Sequence, residues 1–429
     1  MTPAAALAGL ALLVAAVLAA ERPDAVAGEP ATAEWPVHGF VQGAAAYRLI
    51  QPGRCPRTQR LTCKEDLMLG EGRARIELTP RGERWALVAK GEMIFDALGP
   101  EVDGELREGY LDLALGPLDL RIGRQVITWG VGDLVFVNDV FPKDWVAFIS
   151  GLPLEYLKKG SDAVSVTGHW ASASLQLVLI PRFEADTLPE AGGRLAFHDP
   201  MASLEHRHTD DPTPSPGNTE VGARLSRNIL GWDLSLYAYR GFFHTPAGEV
   251  EAGPRLRFFF PPLSVYGASA QGAVLGGVLS LEAGYHDSRH DRSGRNAAVE
   301  NSSVRLLAGY QREIVPDLTL SGQYSVQVME DHAEYVGSRG AGMPRRGAAR
   351  HVLTARLTQI LRHQTLRLGL FALASPSDGD WYLGPEARYQ ITDALSATVG
   401  LNVFGGPRRS DYGQFEANSN LYTVVRYAF

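Results

Sequence analysis

Read back from its end, the segment 415–429 (FEANSNLYTVVRYAF) puts Phe429, Tyr427, Val425, Thr423 and Leu421 on one face. Arg426, Val424, Tyr422, Asn420, Asn418 and Glu416 fall on the other. Successive side chains of an extended strand point to opposite faces, so this period of two reads as a strand with one apolar and one largely polar side. The same rhythm fills the chain from Trp35 onward. Val37, Val41, Ala45 and Tyr47 oppose His38, Gln42 and Arg48, and Leu395, Ala397, Val399, Leu401 and Val403 oppose Ser396, Thr398 and Asn402.

A soluble β-sandwich also alternates, packing large residues into a core between short turns at both ends. Here many positions on the apolar face are Gly or Ala, and the connections are unequal. Short ones at 79–84, 115–118, 170–174, 227–232, 274–277, 313–318, 361–365 and 391–394 alternate with mostly longer loops. The long set is 49–66, 97–104, 131–161, 185–219, 246–262, 288–301, 331–349, 375–379 and 405–413. Short turns on one side and long loops on the other predict an all-β chain, a transmembrane antiparallel β-barrel of about 18 strands. An even count brings both ends of the barrel to the short-turn, periplasmic side. Aromatics near strand ends (Tyr47, Trp85, Trp170, Trp232, Trp381, Tyr389, Tyr427, Phe429) suit the two interfacial girdles. The mean hydropathy of −0.09 looks soluble, because alternation dilutes the apolar signal of every strand. The one long apolar run, Ala4 to Ala20, reads as a secretion signal with a small-x-small site at Ala25-Val26-Ala27. The organisation expected is a signal peptide over 1–27, a linker over 28–34 and a barrel over 35–429.

Arg or Lys facing lipid at mid-depth costs about 2–4 kcal/mol, so charges inside strands face the lumen. Arg73, Arg75, Glu77, Lys90, Glu92, Glu386 and Arg388 are among these lumen charges, and over the inward-facing set the signs nearly cancel. A net charge of −7 without a basic stripe argues against a nucleic-acid partner. Cys55 and Cys63 share one polar loop and are expected to close it as a disulfide in an oxidising compartment. His198, His206 and His208 lie among Asp199, Asp210 and Asp211, but without a fixed ligand spacing, so no metal or other cofactor is expected. No Gly-x-Ser-x-Gly elbow or convergent catalytic set is present, and the chain does not read as an enzyme.

The densest stretch is 118–163. Arg124 and Gln125 are adjacent in a strand, so alternation fails there, and a bulge near Gly123 would restore it. The loop that follows carries Phe136, Phe141, Pro142, Trp145, Phe148, Pro153 and Tyr156. Such a loop does not float in water; it folds into the barrel or packs on a partner. Folding inward makes loop 131–161 a constriction. Its edge would then be formed by Arg121, Arg124, Gln125, Asp133, Asp139, Lys143, Asp144, Trp145 and Glu155, with Lys158 and Lys159 beside them.

The run Gly123-Arg124-Gln125, then Trp129-Gly130, Asp139-Val140-Phe141-Pro142 and Leu152-Pro153-x-Glu155, resembles an uncharacterised family of outer-membrane barrels often found beside hydrophobe-efflux transporters. More distantly it is similar to alginate-export barrels, which share the strand-borne Gly-Arg-Gln but have an Arg-rich lumen that this chain does not reproduce. The last strand resembles the closing strand of bacterial outer-membrane barrels, whose terminal Phe is read by the barrel-assembly machinery. These resemblances imply a porin-like channel in the outer membrane of a Gram-negative bacterium, passing small solutes, apolar compounds among them. The partners implied are lipid, the assembly machinery, solutes and further copies in a homo-oligomer. The competing reading is a non-channel barrel, a component of an export complex or a surface platform.

Overall fold

The computed structural model describes residues 37–429 apart from 51–65, 100, 191–192, 200, 202–203, 205, 252, 254 and 341–345. The expected signal peptide, the linker and the Cys55–Cys63 pair lie outside the described residues.

The strands run β1 (Val37–Arg48), β2 (Leu67–Leu78), β3 (Trp85–Asp96), β4 (Glu101–Leu115), β5 (Leu118–Gln125), β6 (Ser161–Trp170) and β7 (Ala173–Ile180). Then come β8 (His206–Asp210), β9 (Glu220–Ile229), β10 (Trp232–Phe242), β11 (Ala247–Glu251), β12 (Arg255–Phe259), β13 (Pro262–Val274) and β14 (Gly277–Ser288). The chain ends with β15 (Ser303–Val315), β16 (Leu318–Met329), β17 (Ala349–Leu361), β18 (Leu366–Ser375), β19 (Asp380–Gln390), β20 (Leu395–Gly405) and β21 (Asn420–Ala428). All but β8, β11 and β12 form one 18-stranded sheet in which each strand pairs antiparallel with its neighbours in sequence. β21 closes it on β1 through Val41 opposite Tyr427 and Tyr47 opposite Leu421. β8, β11 and β12 make a separate three-stranded sheet built from the long loops.

The predicted short connections all join neighbouring barrel strands at one rim, where Val37 also sits, opposite Leu78. Two of them are tight turns with left-handed residues, Leu230 at φ 53 and Leu275 at φ 48, each followed by a glycine of positive φ. Two expectations are corrected. β4 begins at Glu101, so the long loop placed at 97–104 does not extend past 100, and the described part, 97–99, is a turn. The bulge expected near Gly123 is absent: pairing is unbroken through Gly123 on both sides, to Tyr110 and to Ala163. Gly123 instead takes φ 128, and a Cβ there would lie 2.2 Å from the Gly109 carbonyl oxygen. The extra residue is one strand away. Lys90 faces Glu108 and Gly91 faces Leu106, which leaves Arg107 unpaired on β4.

Alternation sorts residues as expected. Val41, Ile76, Met93, Leu236 and Tyr266 are each more than half exposed on the outer wall. Gln42, Arg73, Arg75, Glu92, Glu220 and Glu282 are buried inside. Lipid cannot hydrogen-bond a free sheet edge, and closure leaves none. The outer belt and the closed sheet together make this a membrane-spanning barrel. Leu236→Arg on the outer wall should therefore destabilise the barrel by about 2–4 kcal/mol when refolded into lipid vesicles under a urea titration. Gln311→Arg, at an exposed lumen position, should shift it by less than about 0.5 kcal/mol.

Candidate functional site

An 18-stranded barrel is too wide for wall side chains to fill. Most of the filling here comes from the connection between β5 and β6, residues 126–160, which carries α1 (Trp145–Ser150) and a 3-10 turn (Leu154–Leu157). Asp144 caps α1, its carboxylate accepting from the Ala147 N–H at 2.8 Å. Phe148, Ile149 and Leu157 pack in one cluster with wall residues Ala44, Ala46, Val352, Phe371, Leu373, Tyr382, Phe404, Tyr422 and Val424. Ile127, Trp129 and Phe141 pack in another with Val178, Ile180, Tyr237, Tyr239, Leu263 and Val265. The first group of walls is β1 and β17–β21, the second β7, β10 and β13. The loop therefore crosses the lumen and touches walls on both sides of it.

Polar anchors fix the stretch between these clusters. The carboxylate of Glu282 on β14 accepts from the backbone N–H of Val131 at 3.0 Å, Gly132 at 3.2 Å and Asn138 at 2.9 Å, and from the Asn138 side-chain amide at 2.9 Å. Asp133 takes both arms of the Arg356 guanidinium, one at 2.8 Å. Its backbone N–H donates to Gln323 at 3.0 Å. At the far end the Ile149 carbonyl accepts from Asn420 at 3.0 Å. The wall leaves room: a Cβ on Gly267 would lie 1.8 Å from Asn138 Oδ1, and one on Gly222 2.6 Å from the Trp129 ring.

A third anchor is charged. Tyr156 is seated under the guanidinium groups of Arg73, at 4.1 Å from the ring centre, and Arg107, at 4.8 Å. Arg75 donates to its hydroxyl at 3.1 Å, and burial pushes the phenol up to about 12. The bulge explains Arg107: the extra residue turns this side chain inward beside Glu108, where it donates to the carbonyls of Glu155 and Lys158. Glu155 pairs with Arg426 and with Arg75. Burial alone would raise the Glu155 carboxyl, but Arg426, Arg75 and Arg107 hold it below the usual range.

Only part of the expected constriction set comes together. Asp133, Asp139, Lys143, Asp144, Trp145 and Glu155 all lie on the inward loop. Asp139 is buried and pairs with Lys143 at 3.3 Å and Lys158 at 2.8 Å. Burial pushes the Lys143 ammonium below its ordinary value despite Asp139 and Asp186. Asp144 is spent on its cap. Arg124 remains on the wall, joined to Asp162 at 3.3 Å and Glu184 at 3.5 Å. Gln125 binds the Ala163 carbonyl at 3.1 Å. Arg121 lies nearer the short-turn rim, held by Asp112 at 2.6 Å and stacked on Tyr110, without contact to the loop. The residues missed as anchors are Arg107, Asn138, Glu282, Gln323, Arg356 and Asn420.

The lumen charges form chains across neighbouring strands. Arg73 joins Glu71 and Glu92, Arg75 joins Glu92 and Glu77, and Lys90 joins Glu108. Glu386 accepts from the Tyr422 hydroxyl at 2.9 Å. Arg388 stands directly opposite Arg367, both exposed, an arrangement that water must screen. In the histidine-rich loop, Asp199 pairs with Arg207 and Asp210 with Arg257.

Between the inward loop and the outer long loops lies a cavity of about 1010 Å³. From the loop it is lined by Leu134, Val135, Phe136, Trp145 and Phe148 together with Asp139 and Lys143, and elsewhere by Tyr412 and Phe415 beside Arg350, Arg409 and Asp411.

Glu282→Ala removes the acceptor of every donor that segment 131–138 offers it. Hydrogen exchange of the Val131, Gly132 and Asn138 amides should accelerate by about tenfold or more, read by mass spectrometry of the folded barrel, with exchange in β14 itself little changed.

No protein-family profile matches this chain, and no curated protein matches it. Solved structures do. OccK2 (OpdF) of Pseudomonas aeruginosa, solved in complex with glucuronate, superposes with a TM-score of 0.56 at 10% identity, over 92% of this chain and 98% of that one. OccK5 (OpdH) of the same organism gives 0.55 at 10% identity, over 92% and 97%. The P. aeruginosa outer membrane protein opdK gives 0.53 at 11%, over 92% and 98%. At such identities the likeness is one of architecture alone, a closed antiparallel β-barrel that those outer-membrane proteins share.

Proposed function

We propose that this chain is a porin-like diffusion channel for small solutes, apolar compounds among them, with the inward loop as its constriction. The observation that carries the reading is the loop's course: it spans the lumen, anchored by Glu282, Arg356 and Asn420. A barrel built only as a wall has no use for a crossbar held by a buried carboxylate and a two-armed ion pair. The apolar side chains that the loop presents on the long-loop side support apolar solutes, since water gains little there and an apolar solute loses little. In this reading residues 1–27 are a signal peptide, the barrel starts at 35, Cys55 and Cys63 form a disulfide, and the last strand engages the assembly machinery.

A second reading, a barrel that docks a periplasmic partner, has its own observation. Leu230 and Leu275 are almost fully exposed at the tips of short turns, in left-handed conformations that Asn or Gly adopts more easily. Conductance separates the two. Purified barrels in a planar bilayer should pass discrete single-channel currents, and deleting 137–152 should raise the unit conductance severalfold. Unchanged conductance on deletion removes the constriction, and an intact barrel that carries no current favours docking.

A further inference from the structure

Ring contacts run without a break across the cavity. Phe136 meets Trp145 edge-on at 6.1 Å, Trp145 meets Phe148 at 6.2 Å, and Phe148 meets Tyr382 at 5.1 Å and Phe404 at 6.5 Å. Phe404 then meets Phe415 at 6.0 Å, and Tyr382 meets Tyr412 at 6.5 Å. Tyr382 and Phe404 are buried behind the lining, whereas Phe136, Trp145, Tyr412 and Phe415 are half-buried and line the cavity with the more buried Phe148. The inward loop and the β20–β21 connection thus present aromatic faces to the cavity, joined through the wall rings buried behind them.

Several of the charges that line it are engaged with one another, while Arg409 also reaches the cavity. Arg305 is bound to Glu300, Arg350 to Asp378 at 2.8 Å and Asp411 at 3.0 Å, and Lys143 to Asp139. An anion seated on Arg305, Arg350 or Lys143 would shed its hydration and break an existing pair to gain a new one. A neutral ring sheds little and stacks on rings.

We infer that this cavity is a binding site for a neutral, ring-bearing apolar solute, held against Phe136, Trp145, Tyr412 and Phe415. Its volume is that of a small-molecule site. Such selectivity differs in kind from a sugar acid. The inference rests on the channel reading for its part in transport, but equilibrium binding and conductance are measured separately. A barrel that conducts without binding fails here alone, and one that binds without conducting fails there alone.

The test is calorimetric titration of the full barrel in amphipol with benzyl alcohol, benzoate and glucuronate at pH 7, against amphipol without protein. Benzyl alcohol should saturate a single site, with benzoate at least about tenfold weaker and glucuronate without measurable heat. Phe136→Ser and Phe415→Ser should each weaken benzyl alcohol by about threefold to tenfold. Benzoate or glucuronate binding as tightly as benzyl alcohol overturns the inference. So does an unchanged benzyl alcohol affinity in both variants. Where a variant does not refold, the comparison of the three compounds on the unaltered protein decides.

Discussion

The seam between β1 and β21 is the constraint on which the rest depends. Without it the sheet would expose two edges of unpaired amides to hydrocarbon, where each unmet group costs several kcal/mol. With it, the pairing from Phe40 opposite Ala428 to Arg48 opposite Asn420 fixes the circumference. A fixed circumference of 18 strands then creates the second problem, a lumen that wall side chains cannot fill. The inward loop answers that problem, and its position follows from the barrel's closure.

Holding such a loop is not a matter of apolar burial alone. Ordering backbone costs about 1–2 kcal/mol per residue, while a fully buried Phe or Leu returns about 1.5–3 kcal/mol. Around Phe141, Phe148, Ile149 and Leu157 large buried side chains come often enough to hold the chain. Between Val131 and Asn138 they do not, and there the carboxylate of Glu282 collects backbone amides. Hydrogen bonds to a charged group contribute about 1.5–3 kcal/mol each. Its burial is offset by those donors, much as an anion is stabilised in a backbone nest.

The strand rhythm, the count of strands and the side on which turns are short were legible because each is a local property, written in period-two alternation and in turn length. The inward course of the loop was legible too, since Phe141, Trp145 and Phe148 have no place in a solvated loop. The anchors were not. Glu282, Gln323 and Arg356 look like any lumen residue, and only the register of the closed sheet brings them beside residues 130–138, more than a hundred positions earlier. Arg107 was hidden for a different reason. A bulge reads from sequence as a fault in alternation, and Arg124 beside Gln125 is the more conspicuous fault. Gly123 absorbs that one by its φ of 128 without adding a residue, while the bulge falls at Arg107 with Glu108 next to it.

Pairing of the lumen charges bears on what such an interior can discriminate. Arg73, Arg75 and Glu92 sit on adjacent strands, so their fields cancel within a few ångströms, and the low dielectric around Tyr156 strengthens the pairing instead of the field seen by a solute. A ring of unpaired cations would select by sign. Here the barrel's charges are largely engaged in holding the loop and one another, so that sign carries little information along this arc. In the proposed channel, what would remain to discriminate is shape and apolar surface, both supplied by the loop: its rings line the cavity on the long-loop side, and its anchors would set how wide a gap they leave.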